Sequence, residues 1–148
     1  MVKDQIAPRG GGLDLARVLV VDDNPTSRLT LQTVLRAGGY SVDAAASAAE
    51  AVVKLDSGHY ELVLSDLQLE SPEAGLHVLA HARIMDYRPA TALFSASSNS
   101  TITDTWQWSG QPILIEPEDV PELLGQVASL IGQRASRNLA RSLRHFGN

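Results

Sequence analysis

The chain has 148 residues, 44% apolar and 20% charged, with a net charge of -5 at pH 7. That length is one domain's worth, the composition suits an ordinary globular core, and the acidic balance argues against a nucleic-acid surface over the whole chain. With no cysteine there are no disulfides, cysteine–zinc sites or thiol catalysis, and no stretch approaches the roughly 20 apolar residues that span a bilayer.

Residues 1–16 include Pro8-Arg9-Gly10-Gly11-Gly12 and read as a flexible leader. They hold no signal-peptide apolar segment, so a cytoplasmic location is the expectation. Val18-Leu19-Val20-Val21 is a first strand, ending in Asp22-Asp23. Asn24-Pro25 leads into a helix over 26–37, where Leu29, Leu31, Val34 and Leu35 recur near helical spacing and Gly38-Gly39 stops it. Residues 41–45 are a short strand near an edge. Residues 47–55 are a second helix, with Ser47 as N-cap and Glu50 three residues on, a capping-box pattern.

Residues 61–66 form the next strand, ending in Asp66, followed by an acidic loop and a helix from about Gly75 to Met85. A strand is expected over 91–95, a weak polar helix over 100–109 and a last strand over 113–115, ending in Glu116-Pro117. A final helix starts near Asp119, with Pro121 tolerated in its first turn. The domain spans 17–132, and 133–148 is a basic helical extension. No acidic side chain follows Glu122, while Arg134, Arg137, Arg141 and Arg144 all do, at steps that form one basic face.

Strand–helix alternation of this kind predicts an α/β fold: a doubly wound, five-stranded parallel sheet with five helices on its two faces. Ligands of such sheets bind beyond the strand C-termini. Asp22, Asp23, Asp66, Ser95 and Glu116 all fall at that edge. Clustered carboxylates repel one another unless a cation joins them, and their oxygens suit a hard ion such as Mg2+.

These residues together resemble the receiver domain of two-component response regulators, over roughly residues 16–132. Val18 to Asn24 looks like the family's first strand and acidic pair, Leu62 to Leu69 like its phosphoacceptor strand, and Gly75-Leu76 like the opening of its third helix. Pro89 to Ala96 is similar to the fourth strand with its Ser/Thr switch position, and Glu116-Pro117 stands where the family has Lys-Pro. The resemblance implies a flavodoxin-like strand order 2-1-3-4-5. It implies Asp66 as phosphoacceptor, Mg2+ held directly by Asp23 and Asp66, mostly through water by Asp22, and by the Gln68 backbone carbonyl, and Ser95 as the switch hydroxyl. It also implies a histidine kinase or phosphotransfer protein as donor, and no enzymatic activity beyond the domain's own phosphorylation and dephosphorylation.

Glu116 departs from the pattern by inverting the lysine's charge. At about 4 Å and an effective dielectric near 20, one unit-charge interaction is worth on the order of 4 kcal/mol. The only lysines are Lys3 and Lys54, and Arg83 and Arg88, the only arginines between position 55 and the last helix, are expected away from the pocket. Ile113 also occupies the place of the family's mobile aromatic. Two outcomes follow: Asp66 is phosphorylated with altered switching, or Glu116 adds a fourth carboxylate and locks one conformation. Glu116 pointing into solvent is a further alternative. A pseudo-receiver acting as a phosphorylation-independent interaction module is the competing function. A phosphohydrolase with an Asp nucleophile fits less well, because Gln68 stands where that chemistry wants a second Asp.

His77 and His81, four apart on a helix, lack the third ligand and general base of a zinc hydrolase, and read as solvated. Trp106 and Trp108 point to nearly opposite sides of a helix, so one of them is a candidate for a homodimer or downstream-partner face, built in receivers from the fourth helix, last strand and last helix. The C-terminal helix, with Leu139, Leu143 and Phe146 on a second face, reads as a tail, a linker, a docking helix or an anionic-surface contact. Direct DNA binding is not expected, and neither is a membrane span.

Overall fold

The structure is a computed structural model that describes residues 15–95 and 113–146. Nine elements follow in order: β1 (Arg17–Val21), α1 (Pro25–Ala37), β2 (Ser41–Ala45), α2 (Ala48–Ser57), β3 (Leu62–Asp66), α3 (Pro72–Arg83), β4 (Ala90–Phe94), β5 (Leu114–Ile115) and α4 (Val120–Phe146). The strands form one parallel sheet in the order β2-β1-β3-β4-β5, as expected.

Each strand side chain faces the opposite way from its neighbour, and the buried residues divide accordingly. Leu19, Val21, Val63 and Leu93 pack with Ala51 and Leu55 of α2 and with Val78, Leu79 and Ala82 of α3. Val18, Val20, Leu62, Leu64 and Phe94 pack on the other face with Leu31 and Leu35 of α1 and with Leu123, Val127 and Leu130 of α4. Continuous apolar strands are what a sheet covered on both faces requires.

Local caps set the helix limits. The Asn24 side chain accepts from the Ser27 N–H, and Pro25 opens α1, where its missing N–H costs nothing. Gly39, at φ +102°, turns the chain out of α1 through the left-handed region. Ser47 and Glu50 complete the expected capping box of α2: the Glu50 N–H donates to Ser47 Oγ and the Ala46 N–H to Glu50 Oε1.

Several boundaries differ from expectation by a few residues. The helix expected from Gly75 begins at Pro72, because the Ser71 side chain accepts from the Ala74 N–H and supplies an earlier cap. β4 begins one residue sooner, at Ala90, whose N–H donates to the Glu61 carbonyl. Of the five expected helices, four occur among the described residues; the fifth, over 100–109, lies outside them together with Trp106 and Trp108. Most of the leader likewise falls outside.

The last helix is continuous for 27 residues, about 40 Å at 1.5 Å per residue. Its buried contacts end near Leu130, and from residue 135 nearly every described side chain is exposed. No helix among the described residues is long and apolar enough to cross a membrane.

Candidate functional site

Register brings the acids together. β1 and β3 pair with Val21 opposite Ser65, so the next residues along, Asp22 and Asp66, stand level at the strand ends. The Asp22 N–H extends the ladder to the Ala45 carbonyl of β2 at 3.0 Å, and the Leu67 N–H reaches the Phe94 carbonyl at 2.9 Å. Beyond this edge α1 departs over one face and α3 over the other. The crevice between them is the switch point of the strand order, where α/β sheets bind ligands.

Carboxylate oxygens of Asp22, Asp23 and Asp66 lie within 4.8 Å of one another. Asp22 is 1% exposed, Asp66 is half-buried and Asp23 is exposed. At an effective dielectric near 20, two unit charges at that separation repel by about 3.5 kcal/mol. The tension shows in Asp66, whose carboxyl is pushed up to about 6, first by burial and then by the Asp22 charge; a bond from the Gln68 N–H opposes the rise. Asp22 Oδ1 accepts from the Asn24 N–H at 3.0 Å, whereas Asp22 Oδ2 is buried with no hydrogen-bond partner.

A buried carboxylate with an orphaned oxygen, clustered with two further carboxylates, is a donor set that fits a hard divalent cation. Such an ion would satisfy the Asp22 oxygen and remove the repulsion together. Asp22, Asp23 and Asp66 are the side chains able to hold it. Gln68 is exposed in the turn after Asp66, next to the cluster in sequence.

Ser95 follows β4 and is buried, and its N–H donates to the Ile115 carbonyl at 3.1 Å. That bond joins Ser95, the expected switch position, to the residue before Glu116. Glu116 is exposed and stands outside the cluster formed by the three aspartates among the described residues. Gly75 passes very close to β3: a Cβ there would lie 3.0 Å from the Asp66 carbonyl oxygen and 3.2 Å from Ser65 Oγ. Any larger residue at 75 would push α3 and β3 apart by a few tenths of an ångström.

Sequence reasoning missed two parts of the site. Arg28 Nη1 donates to the Asp22 carbonyl at 2.9 Å, which puts a guanidinium at the β1 end of the pocket. The signal was available, since helix side chains lean toward the N-terminus and Arg28 sits in the first turn of α1. Glu70 accepts from the Ala48 N–H at 2.9 Å and so ties the loop after Asp66 to the start of α2. This contact crosses 22 residues and no local pattern announces it.

The histidines do not form a metal site among the described residues. His77 is exposed, whereas His81 Nε2 lies 2.8 Å from Asp56 Oδ1 and links α3 to α2 rather than being merely solvated.

Comparison with known proteins agrees with this geometry. The profile of the response regulator receiver domain matches residues 18–128. The transcriptional regulatory protein BasR of Escherichia coli K12 is 30% identical over 135 residues, 89% of this chain and 59% of BasR. The gliding motility regulatory protein of Myxococcus xanthus is 38% identical over 76 residues, 51% of this chain but 9% of that protein. The chain thus spans less than two thirds of these relatives. Among solved structures, the response regulator TrrA of Thermotoga maritima, crystallised with Mg2+-BeF, superposes with a TM-score of 0.64 at 30% identity, covering 78% of this chain and 99% of TrrA. A receiver protein from Sinorhizobium medicae superposes with a TM-score of 0.70 at 25% identity, covering 82% and 98%.

Proposed function

Because the chain belongs to the receiver-domain family of two-component response regulators, we propose that it accepts a phosphoryl group on Asp66 and signals through protein contacts in the cytoplasm. The observation that carries this reading is the buried, unpartnered Oδ2 of Asp22, a carboxylate clustered with Asp23 and Asp66. A cluster serving only to cap helices would have its oxygens bonded to N–H groups.

In this mechanism Asp66 is the nucleophile. One carboxylate oxygen bonds to phosphorus while the P–N bond of a phosphohistidine, carried by a histidine kinase or phosphotransfer protein, breaks and the imidazole leaves. Asp22, Asp23, Asp66 and the Gln68 carbonyl would hold Mg2+, and the bound ion would supply charge neutralisation for the transfer. Asp66 must be ionised to attack, and burial beside Asp22 works against that until the pocket's charge is offset. The Ser95 hydroxyl hydrogen-bonds the phosphoryl oxygen and the Ser95–Ile115 link carries the response to β5. Glu116, in place of lysine, withholds the usual countercharge, so the response is altered rather than abolished.

Incubation with Mg2+ and a small phosphodonor should add one phosphoryl mass, absent in Asp66→Ala. If neither small donor nor cognate kinase produces an adduct, the phosphorelay reading fails and the pseudo-receiver, an interaction module independent of phosphorylation, takes its place.

A further inference from the structure

A second candidate site lies at the opposite edge of the sheet from Asp66. The segment 86–88 enters β4 at its N-terminal end, and α4, running back across the sheet, reaches that segment at Arg134. Between them is a cavity of about 480 Å3 lined by Asp86, Tyr87, Arg88, Arg134, Asn138 and Arg141. Pockets for small molecules span about 300–1,000 Å3, so the space exceeds what a single ion fills.

The lining is unusual in charge. Three guanidiniums meet one carboxylate, and among the described residues none of the three forms an ion pair. Arg134 is fixed in place: Nε donates to the Arg88 carbonyl at 3.0 Å and Nη2 to the Tyr87 carbonyl at 2.8 Å. A guanidinium has five N–H donors, so Arg134 keeps others for a ligand. Arg141 Nη1 donates to Asn138 Oδ1 at 3.0 Å, which orients its fork from the preceding turn of the same helix.

The floor is rigid. Tyr87 stacks on His59 with ring centroids 4.9 Å apart, and its hydroxyl donates to the Leu55 carbonyl at 2.8 Å. Arg88 is the one non-glycine described residue with positive φ, at +48°. Arginine gains nothing intrinsic from the left-handed region. The Arg88 N–H closes a turn onto the Met85 carbonyl at 3.0 Å, the two Arg134 bonds tie the carbonyls of 87 and 88, and the conformation leaves Arg88 lining the cavity. Strain maintained this way concentrates at ligand sites.

We propose that this cavity binds a small polyanion bearing phosphoryl groups, distinct from the phosphoryl group taken by Asp66. Guanidinium forks match phosphate oxygens two at a time, and several arginines around one space select a multiply charged ligand over a monoanion. The extension beyond Gly132 then has a chemical role, completing a site that the receiver fold alone does not contain.

The test is a titration of the full chain with pyrophosphate in EDTA, followed by NMR and calorimetry. Without divalent cation the three aspartates repel the probe, so the Asp66 pocket stays silent and failure here leaves the phosphoacceptor reading untouched. Saturable binding is expected, with shifts at 86–88 and 134–142 and at least tenfold weakening in the Arg88→Asn/Arg141→Gln double variant. Asparagine tolerates the left-handed backbone at 88, and Arg141 lies beyond the packed part of α4, so both should preserve the fold. Absence of saturation overturns the proposal. So does equal affinity in the double variant, or shifts confined to the aspartate edge.

Discussion

Gly75 and Asp66 approach so closely that a Cβ on the glycine would lie 3.0 Å from the Asp66 carbonyl oxygen. The packing of α3 and the position of the candidate phosphoacceptor are therefore one structural fact. Gly75→Ala should gain up to about 1 kcal/mol in helix propensity and lose about 1–3 kcal/mol to the clash. The expected result is a lower thermal midpoint and a slower phosphodonor reaction at Asp66. An unchanged midpoint and rate would show that α3 shifts without disturbing β3.

Asp66 makes metal-free stability depend on pH. Its carboxyl ionises at about 6 in the folded protein against 3.8 ordinarily. Between those values the folded chain holds a proton the unfolded chain has lost, so stability falls as pH rises through the window and levels off above it. The shift corresponds to about 3 kcal/mol at full strength, reduced to about 1–2 by solvent screening of a half-buried group. Urea titrations in EDTA from pH 4 to 7.5 should show this decline, and Asp66→Asn should remove it. Mg2+ at neutral pH should restore stability; a flat profile in EDTA would refute the coupling.

Removing the Asp22 charge acts on Asp66 directly. In Asp22→Asn the strongest neighbouring carboxylate is gone, so the Asp66 carboxyl should titrate nearer its ordinary range. Mg2+ affinity should fall despite this, because the buried Oδ2 no longer offers a charge. Carboxyl-detected NMR titration and calorimetry give the two readings, and tightened Mg2+ binding would contradict the assignment.

Glu116→Lys should restore an attractive charge at the end of β5. If the residue faces the pocket in the phosphorylated state, adduct lifetime or the conformational response changes at least tenfold, since about 1.4 kcal/mol corresponds to a factor of ten. Acid-quenched phosphorylation time courses read this. No change would mean that Glu116, exposed here, acts away from the phosphoryl group.

Arg28→Ala should destabilise the β1 end of the site by about 1–2 kcal/mol, as expected when a bond from a charged donor to a carbonyl is lost. Denaturation together with Mg2+ titration checks it. A loss of stability comparable to that of Arg36→Ala, whose guanidinium bonds the Val42 carbonyl away from the pocket, with Mg2+ affinity intact, would make Arg28 a purely structural tie.

Much of this protein was legible because its signals are local. Apolar runs such as Val18 to Val21 and Leu62 to Ser65 announce strands covered on both faces, and Ser47 with Glu50 announces a helix start. Asp22, Asp23 and Asp66 declared themselves by ending those runs. Ser71 was harder to read, because its cap precedes a proline and a glycine that dilute the helical pattern.

By itself the sequence determined the α/β class, the strand ends and the three acids that meet there, since period and capping depend on neighbouring residues. Only the tertiary structure decided which charges count. Parallel register levels Asp22 with Asp66 and leaves Asp22 Oδ2 buried without a partner. Helix direction swings Arg28 back to the Asp22 carbonyl, and the return of α4 sets Arg134 and Arg141 against Arg88 across dozens of residues. Electrostatic energy depends on separation and burial in space, neither of which is legible in the local pattern of residues along the chain.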